Sequence, residues 1–269
     1  MLIDTHAHLD QAEFEADLDD VIRRAEESGV EAIVSIGLDT ASNKATIALA
    51  EKYTNIWAAI GIHPHLATTL NEATLRDLRA MAQHPRVVAI GETGLDFYRN
   101  RAPRDAQIRA FQTQLALARE FGLPVVIHDR EAHSEVMDIV KKWATEGPQE
   151  GKFLGVLHCF SGDIALAQEA ISYGFAISIA GPITYPNSNR LAEVVRNVPD
   201  SVLVVETDCP FLPPQQFRGK RNEPAYVKLT AERLAQLRSQ PVEAIAQITT
   251  ANARRLFRFS AGDNKFRPD

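Results

Sequence analysis

Phe121-Gly122-Leu123-Pro124-Val125-Val126-Ile127-His128 sets a helix stop, an apolar β-rich run and an imidazole side by side within eight residues. Upstream, residues 105–121 carry a helical pattern, and Gly122 is the usual residue just past a helix because it accepts the left-handed conformation at no steric cost. The same order recurs where residues 17–28 stop at Gly29 and residues 163–173 stop at Gly174, each ahead of an apolar run. Eight such runs lie at 2–4, 32–36, 57–62, 87–90, 125–127, 153–157, 175–179 and 202–205. Eight strands alternating with helices predict an α/β fold closed as a parallel (β/α)8 TIM barrel. An open doubly wound sheet would use fewer strands and place a Gly-rich phosphate turn after the first, where none is found. The chain is expected to form a single domain over 1–269, with a further helix at 241–257 packed outside the barrel.

With 45% hydrophobic and 24% charged residues, the 269-residue chain can bury a sizeable core without disulfides. Its two cysteines, Cys159 and Cys209, form no disulfide framework and are expected to be reduced packing residues. The start, Met1-Leu2-Ile3-Asp4, lacks a basic segment followed by a long apolar stretch, and no run is long enough to cross a bilayer, so a cytoplasmic location is expected. A net charge of −6 argues against a broad electrostatic footprint for duplex nucleic acid, while leaving room for local basic clusters.

In a parallel barrel the reacting groups come from the carboxyl ends of strands, and six metal-ligand-type side chains stand there: His6, His8, Glu92, His128, His158 and Asp208. An extended backbone sends residues i and i+2 to one side, so His6 and His8 can reach one ion; alternatively they are two polar residues at a strand end. Glu92 follows the run Val87-Val88-Ala89-Ile90-Gly91, and a carboxylate there must be paired or metal-bound to offset its desolvation. Its two oxygens can bridge two cations, or it can form a salt bridge to Arg130. His128 and His158 each offer a neutral nitrogen to a second ion, against the alternative of two core histidines. Asp208 can ligate metal and accept a proton from water; Glu206 shares its strand parity and is its chief rival, unless it is a structural carboxylate below the metal layer.

The motifs then accumulate in order along the chain. Asp4-Thr5-His6-Ala7-His8-Leu9-Asp10, Gly61-Ile62-His63-Pro64-His65, Gly91-Glu92-Thr93-Gly94-Leu95-Asp96, Pro124-Val125-Val126-Ile127-His128-Asp129-Arg130, Leu157-His158-Cys159-Phe160-Ser161-Gly162 and Glu206-Thr207-Asp208-Cys209-Pro210, followed by Arg221-Asn222-Glu223-Pro224, together resemble the TatD family. These are metal-dependent deoxyribonucleases among the amidohydrolase-like barrels, so the resemblance implies a TIM barrel of the metallo-dependent hydrolase type. It also implies two divalent metal ions (Mg²⁺, Mn²⁺ or Zn²⁺), with His6, His8, Glu92 and Asp208 around one and Glu92, His128 and His158 around the other. Asp208 is then expected to orient the attacking water and take its proton. Glu131, where family members often carry Asp, departs from the pattern and bears on substrate preference.

Two cations about 3.5–4 Å apart suit in-line displacement at phosphorus. His63 is expected to donate a hydrogen bond to a phosphate oxygen, or else to pack its loop with His65. His63, His65, Arg130 and Arg221 form the candidate substrate-binding set. Arg99, Arg101 and Arg104 after the fourth strand, and Arg218, Lys220 and Arg221 after the eighth, can guide a single strand, or are solvated surface. Phe97, Tyr98, Tyr185 and Phe217 are candidates for base stacking, with loop packing as the alternative. A small loop-built mouth suits a chain end better than a duplex interior, and the resemblance supports 3′-to-5′ trimming of single-stranded DNA; a monomer is a separate expectation. Rival readings are an ester hydrolase of D-aminoacyl-tRNA, a small-molecule amide or lactone hydrolase, and a noncatalytic barrel scaffold. The amide reading is weakened because Glu92 stands where many such barrels bridge their ions with a carboxylated lysine.

Overall fold

The computed structural model describes residues 1–145 and 153–258. Eight strands, β1 (Leu2–Ala7), β2 (Val30–Ile36), β3 (Ile56–Ile60), β4 (Val87–Asp96), β5 (Val125–Arg130), β6 (Gly155–Leu157), β7 (Phe175–Ile179) and β8 (Leu203–Val205), lie in chain order in one sheet. Every neighbouring pair is parallel, and a parallel bridge between Ala7 and Cys209 brings the first strand to the segment after the last. The barrel expected from the sequence is therefore found. The expected single domain over 1–269 includes residues 146–152 and 259–269, which lie outside the described ones.

Strands wrapped by helices are buried on both faces, which is why they read as continuous rather than alternating apolar runs. Between them run α1 (Leu18–Glu27), α2 (Thr40–Lys52), α3 (Glu72–Met81), α4 (Arg104–Phe121), α5 (His133–Ala144), α6 (Ile164–Ser172), α7 (Asn189–Asn197) and α8 (Val227–Arg238), with α9 (Val242–Phe257) following. Phe111 of α4, Phe175 of β7 and Phe257 of α9 are fully buried in one continuous core. Among the described residues no helix is long and apolar enough to cross a membrane.

Three strands run further at their carboxyl ends than the apolar pattern predicts. β1 continues from Asp4 to Ala7, β4 from Ile90 to Asp96 and β5 from Ile127 to Arg130, so His6, Glu92 and His128 sit within strands rather than just past them. Glycine makes the extension of β4 along β5 possible. Gly94 has φ +139°, and a Cβ there would stand 2.0 Å from the His128 carbonyl oxygen; at Gly91, with φ +155°, it would stand 2.6 Å from Val126 Cβ. The two backbones thus approach too closely for any side chain, which draws Glu92 and His128 onto one seam. At Gly122, which caps α4 with φ +64°, a Cβ would meet nothing within 4 Å.

This contrast gives a stability test. Gly122→Ala is expected to cost about 1–2 kcal/mol for the left-handed backbone alone. Gly94→Ala adds a backbone overlap and is expected to cost at least about 2 kcal/mol more, read as the difference in urea midpoints at constant slope. Equal losses would show that the β4–β5 seam yields without cost.

Candidate metal centre

Four donor atoms converge at the mouth of the barrel. His6 Nε2 lies 3.1 Å from His8 Nε2, 3.5 Å from Glu92 Oε2 and 3.6 Å from Asp208 Oδ1. His8 Nε2 lies 3.7 Å from the same Glu92 oxygen and 3.3 Å from the same Asp208 oxygen. Tetrahedral ligands about 2.1 Å from an ion stand about 3.4 Å from one another, so these separations match the edges of such a shell. The other Glu92 oxygen, Oε1, faces a second group: His128 Nδ1 at 2.6 Å and His158 Nε2 at 2.9 Å, with 3.4 Å between the two nitrogens. One buried carboxylate thus divides its oxygens between two pairs of imidazoles.

The polar groups behind these side chains set which nitrogen is free. A carbonyl can only accept, so His8 Nδ1–H donates to Ile36 O at 3.1 Å and leaves Nε2 with its lone pair toward the cluster. His128 Nε2 faces Asp96 Oδ2 at 3.2 Å, and His158 Nδ1 faces Glu206 Oε1 at 3.3 Å. Glu206 is itself held by the Cys159 amide at 2.7 Å and the Ser178 hydroxyl at 2.5 Å. It stands behind His158, whereas Asp208 faces His6 and His8. Asp4 accepts from the Thr207 amide at 2.9 Å and its hydroxyl at 2.6 Å, which ties the residue before Asp208 to β1. His6 Nδ1 is buried with no hydrogen-bond partner among the described residues.

The electrostatics favour a cation. Burial opposes ionisation of Glu92, yet the fields of His158 and His63 and the hydrogen bond from His128 hold its carboxyl well below the usual range. Burial opposes Asp208 likewise, and His8 and His6 hold it low. Burial pushes against charge on His158, but Glu92 and Glu206 outweigh it and raise that imidazole well above its ordinary value. Anionic oxygens and imidazole nitrogens directed at common points are a donor set suited to divalent ions. A triad of His63, Glu92 and His128 also has ligand-like spacing. However, His63 Nδ1 accepts the His65 amide at 3.1 Å, so the proton sits on Nε2, and burial brings this imidazole down to about 4. A neutral ring in that tautomer is a donor and not a ligand.

A cavity of about 660 Å³ opens over the cluster, lined by His8, His63, His65, Glu92, His128, His158 and Asp208. Arg99, Arg101 and Arg130 line it as well. Among the described residues Glu92 pairs with imidazoles and not with Arg130, whose guanidinium lies 5.1 Å from the Tyr98 ring centre. Arg221 is not brought to this cavity. Its guanidinium donates to both Asp17 oxygens, at 2.7 and 2.8 Å, and covers Phe14, and this pairing holds Asp17 at about 2. Phe97 lies under Arg104, Tyr185 lies under Arg218, and Phe217 stacks on Tyr226. Two cavity residues escaped the sequence reading. Asp96 joins His65 Nε2, at 2.7 Å, to His128, and Phe211 stands 46% exposed beside His8. Asp96 belonged to a quoted motif, but Phe211 carried no local signal.

A (β/α)8 barrel with such a cluster at its carboxyl ends defines a metal-dependent hydrolase. The family described as TatD related DNase matches residues 3–258, and the chain belongs to the TatD family. It is 44% identical over 260 residues to an uncharacterized metal-dependent hydrolase, YabD, of Bacillus subtilis, covering 97% of this chain and all of that one. It is 37% identical to the 3'-5' ssDNA/RNA exonuclease TatD of Musicola paradisiaca, covering 96% of this chain and 98% of that one. The crystal structure of YJJV, a TatD homolog from Escherichia coli, superposes with a TM-score of 0.90 at 31% identity, over 96% of this chain and 98% of that one.

Because both Glu92 oxygens are committed, Glu92→Ala is expected to abolish metal retention and lower turnover by at least about 10³-fold, while the parent keeps metal through gel filtration. Elemental analysis beside an activity assay reads both. Undiminished metal in the variant would contradict a shared carboxylate.

Proposed function

We propose that this hydrolase is a nuclease that trims single-stranded DNA from the 3′ end, acting in the cytoplasm with two divalent ions, Mg²⁺, Mn²⁺ or Zn²⁺. His6, His8, Glu92 and Asp208 would hold one ion and Glu92, His128 and His158 the other. The observation that carries this reading is the divided carboxylate of Glu92 beneath a cavity that Arg99, Arg101 and Arg130 also line. Arginine forks match phosphate oxygens bidentately, which favours a phosphodiester over an uncharged amide or lactone. When bound, the two ions supply Lewis acidity for water activation and for neutralising charge at phosphorus.

The chain's own residues supply the rest. Asp208 stays anionic at neutral pH, accepts the proton of the attacking water as the water oxygen bonds to phosphorus, and returns it to the ester oxygen whose bond to phosphorus breaks. His63 stays neutral with its proton on Nε2, and donates to a phosphoryl oxygen as negative charge grows there. A cavity of about 660 Å³ has the size of a small-ligand pocket, which suits the end of a strand. The exonuclease named for the Musicola relative, at 37% identity, points to the same substrate and polarity.

The test is turnover of single-stranded oligonucleotides carrying a 5′ label, with each divalent ion in turn. A ladder of products shortened one residue at a time, abolished by chelator, is expected. His63→Ala is expected to lower kcat about 10²-fold with metal content retained. Hydrolysis of D-aminoacyl-tRNA without any oligonucleotide turnover would contradict the nuclease reading.

A further inference from the structure

Single exposed apolar side chains are ordinary on a protein surface, but one standing on the wall of a cavity is informative. Among the described residues the large exposed ones are Met1, Tyr98 and Phe211, at 75%, 65% and 46% exposure. Met1 is the first residue of the chain. Phe211 lines the cavity, its ring centre 5.9 Å from that of His8, one of the proposed metal ligands, at an interplanar angle of 63°.

Phe211 is held in this position by its backbone. Its amide donates to Asp208 O at 2.9 Å, and its carbonyl accepts from Asn222 Nδ2 at 2.6 Å. Asn222 is fully buried and also donates to Thr207 O at 2.8 Å, so one side chain ties Phe211 to the residue before Asp208. The ring therefore projects from the same short segment that supplies the proposed proton acceptor. Across the barrel, Arg99 and Arg101 after β4, four strands away, and Arg130 at the end of β5, three strands away, also line the cavity. An apolar ring and guanidinium groups lining one cavity correspond to the two halves of a nucleotide, base and phosphate.

We propose that Phe211 is the nucleobase platform of this site, stacking on a base that flanks the scissile phosphate and so selecting nucleotides over phosphodiesters without bases. The inference rests on the proposed nuclease activity. It differs from the aromatic candidates read from sequence, since none of Phe97, Tyr98, Tyr185 and Phe217 lines the cavity as Phe211 does.

The experiment compares kcat/KM on single-stranded oligonucleotides with that on otherwise identical strands carrying an abasic residue on either side of the scissile phosphate, terminal or penultimate. The parent is expected to prefer the base at one of these positions by about 5- to 150-fold, the range of a single stacked base. Phe211→Ala is expected to bring that ratio toward one, whereas Phe211→Trp keeps it and Phe211→Leu, apolar but without a π face, does not. Thermal melts of all three variants are read alongside, and the Trp and Leu pair separates stacking from loss of fold. If the parent cleaves oligonucleotides and Phe211→Ala keeps the parent's ratio at both positions, the platform alone is overturned. If the parent cleaves no oligonucleotide with any of the ions, the nuclease reading falls and the platform with it.

Discussion

A carboxylate with almost no exposure to water, Glu92, governs the mouth of this barrel. Removing an ionised carboxyl from water costs several kcal/mol unless positive charge and hydrogen bonds replace the lost hydration. Here imidazoles surround both oxygens, and the carboxylates in turn favour the charged form of His128 and His158. Burial works against charge on both rings, but Asp96, Glu92 and Glu206 overcome it. Metal and protons compete for the same nitrogens, so loading the site is coupled to proton release. The closed sheet brings the proposed ligands, from β1, β4 and β5 and from the segments after β1, β6 and β8, to this one anion.

Precision comes from the groups behind the ligands. Ile36 O turns His8, Asp96 turns His128 and Glu206 turns His158, each offering its free nitrogen to the centre. The β4–β5 seam contributes through glycine, because two backbones in direct contact place Glu92 and His128 without intervening side chains. Remote ion pairs hold the β8 loop: Arg221 grips Asp17, while Arg24 of α1 grips Glu223 at 2.7 Å. These pairs join α1 to the loop that carries Asp208 and Phe211, and they give Arg221 a partner away from the cavity.

Much of this was legible in the sequence, for physical reasons that also mark where legibility ends. Strands buried on both faces read as apolar runs, and a polar residue closing such a run is conspicuous; hence the barrel and the candidate ligands could be named. The extension of β4 could not, since Gly91, Glu92 and Gly94 have poor strand character and the segment pairs with β5 despite it. Arg221 reads as a free surface cation because its partner Asp17 lies 204 positions away. Phe211 carries no local signal because exposure is a property of the assembled fold. Asp96 gains its place only when the fold sets His65 and His128 beside it.

The central claim is that one carboxylate holds two ions side by side. Anomalous scattering from crystals of the metal-loaded protein, collected at the metal edge, tests it most directly. Two peaks about 3.5–4 Å apart, one toward each Glu92 oxygen, are the predicted result. A single peak shared by all the imidazoles, or two peaks with Glu92 outside both, would contradict it.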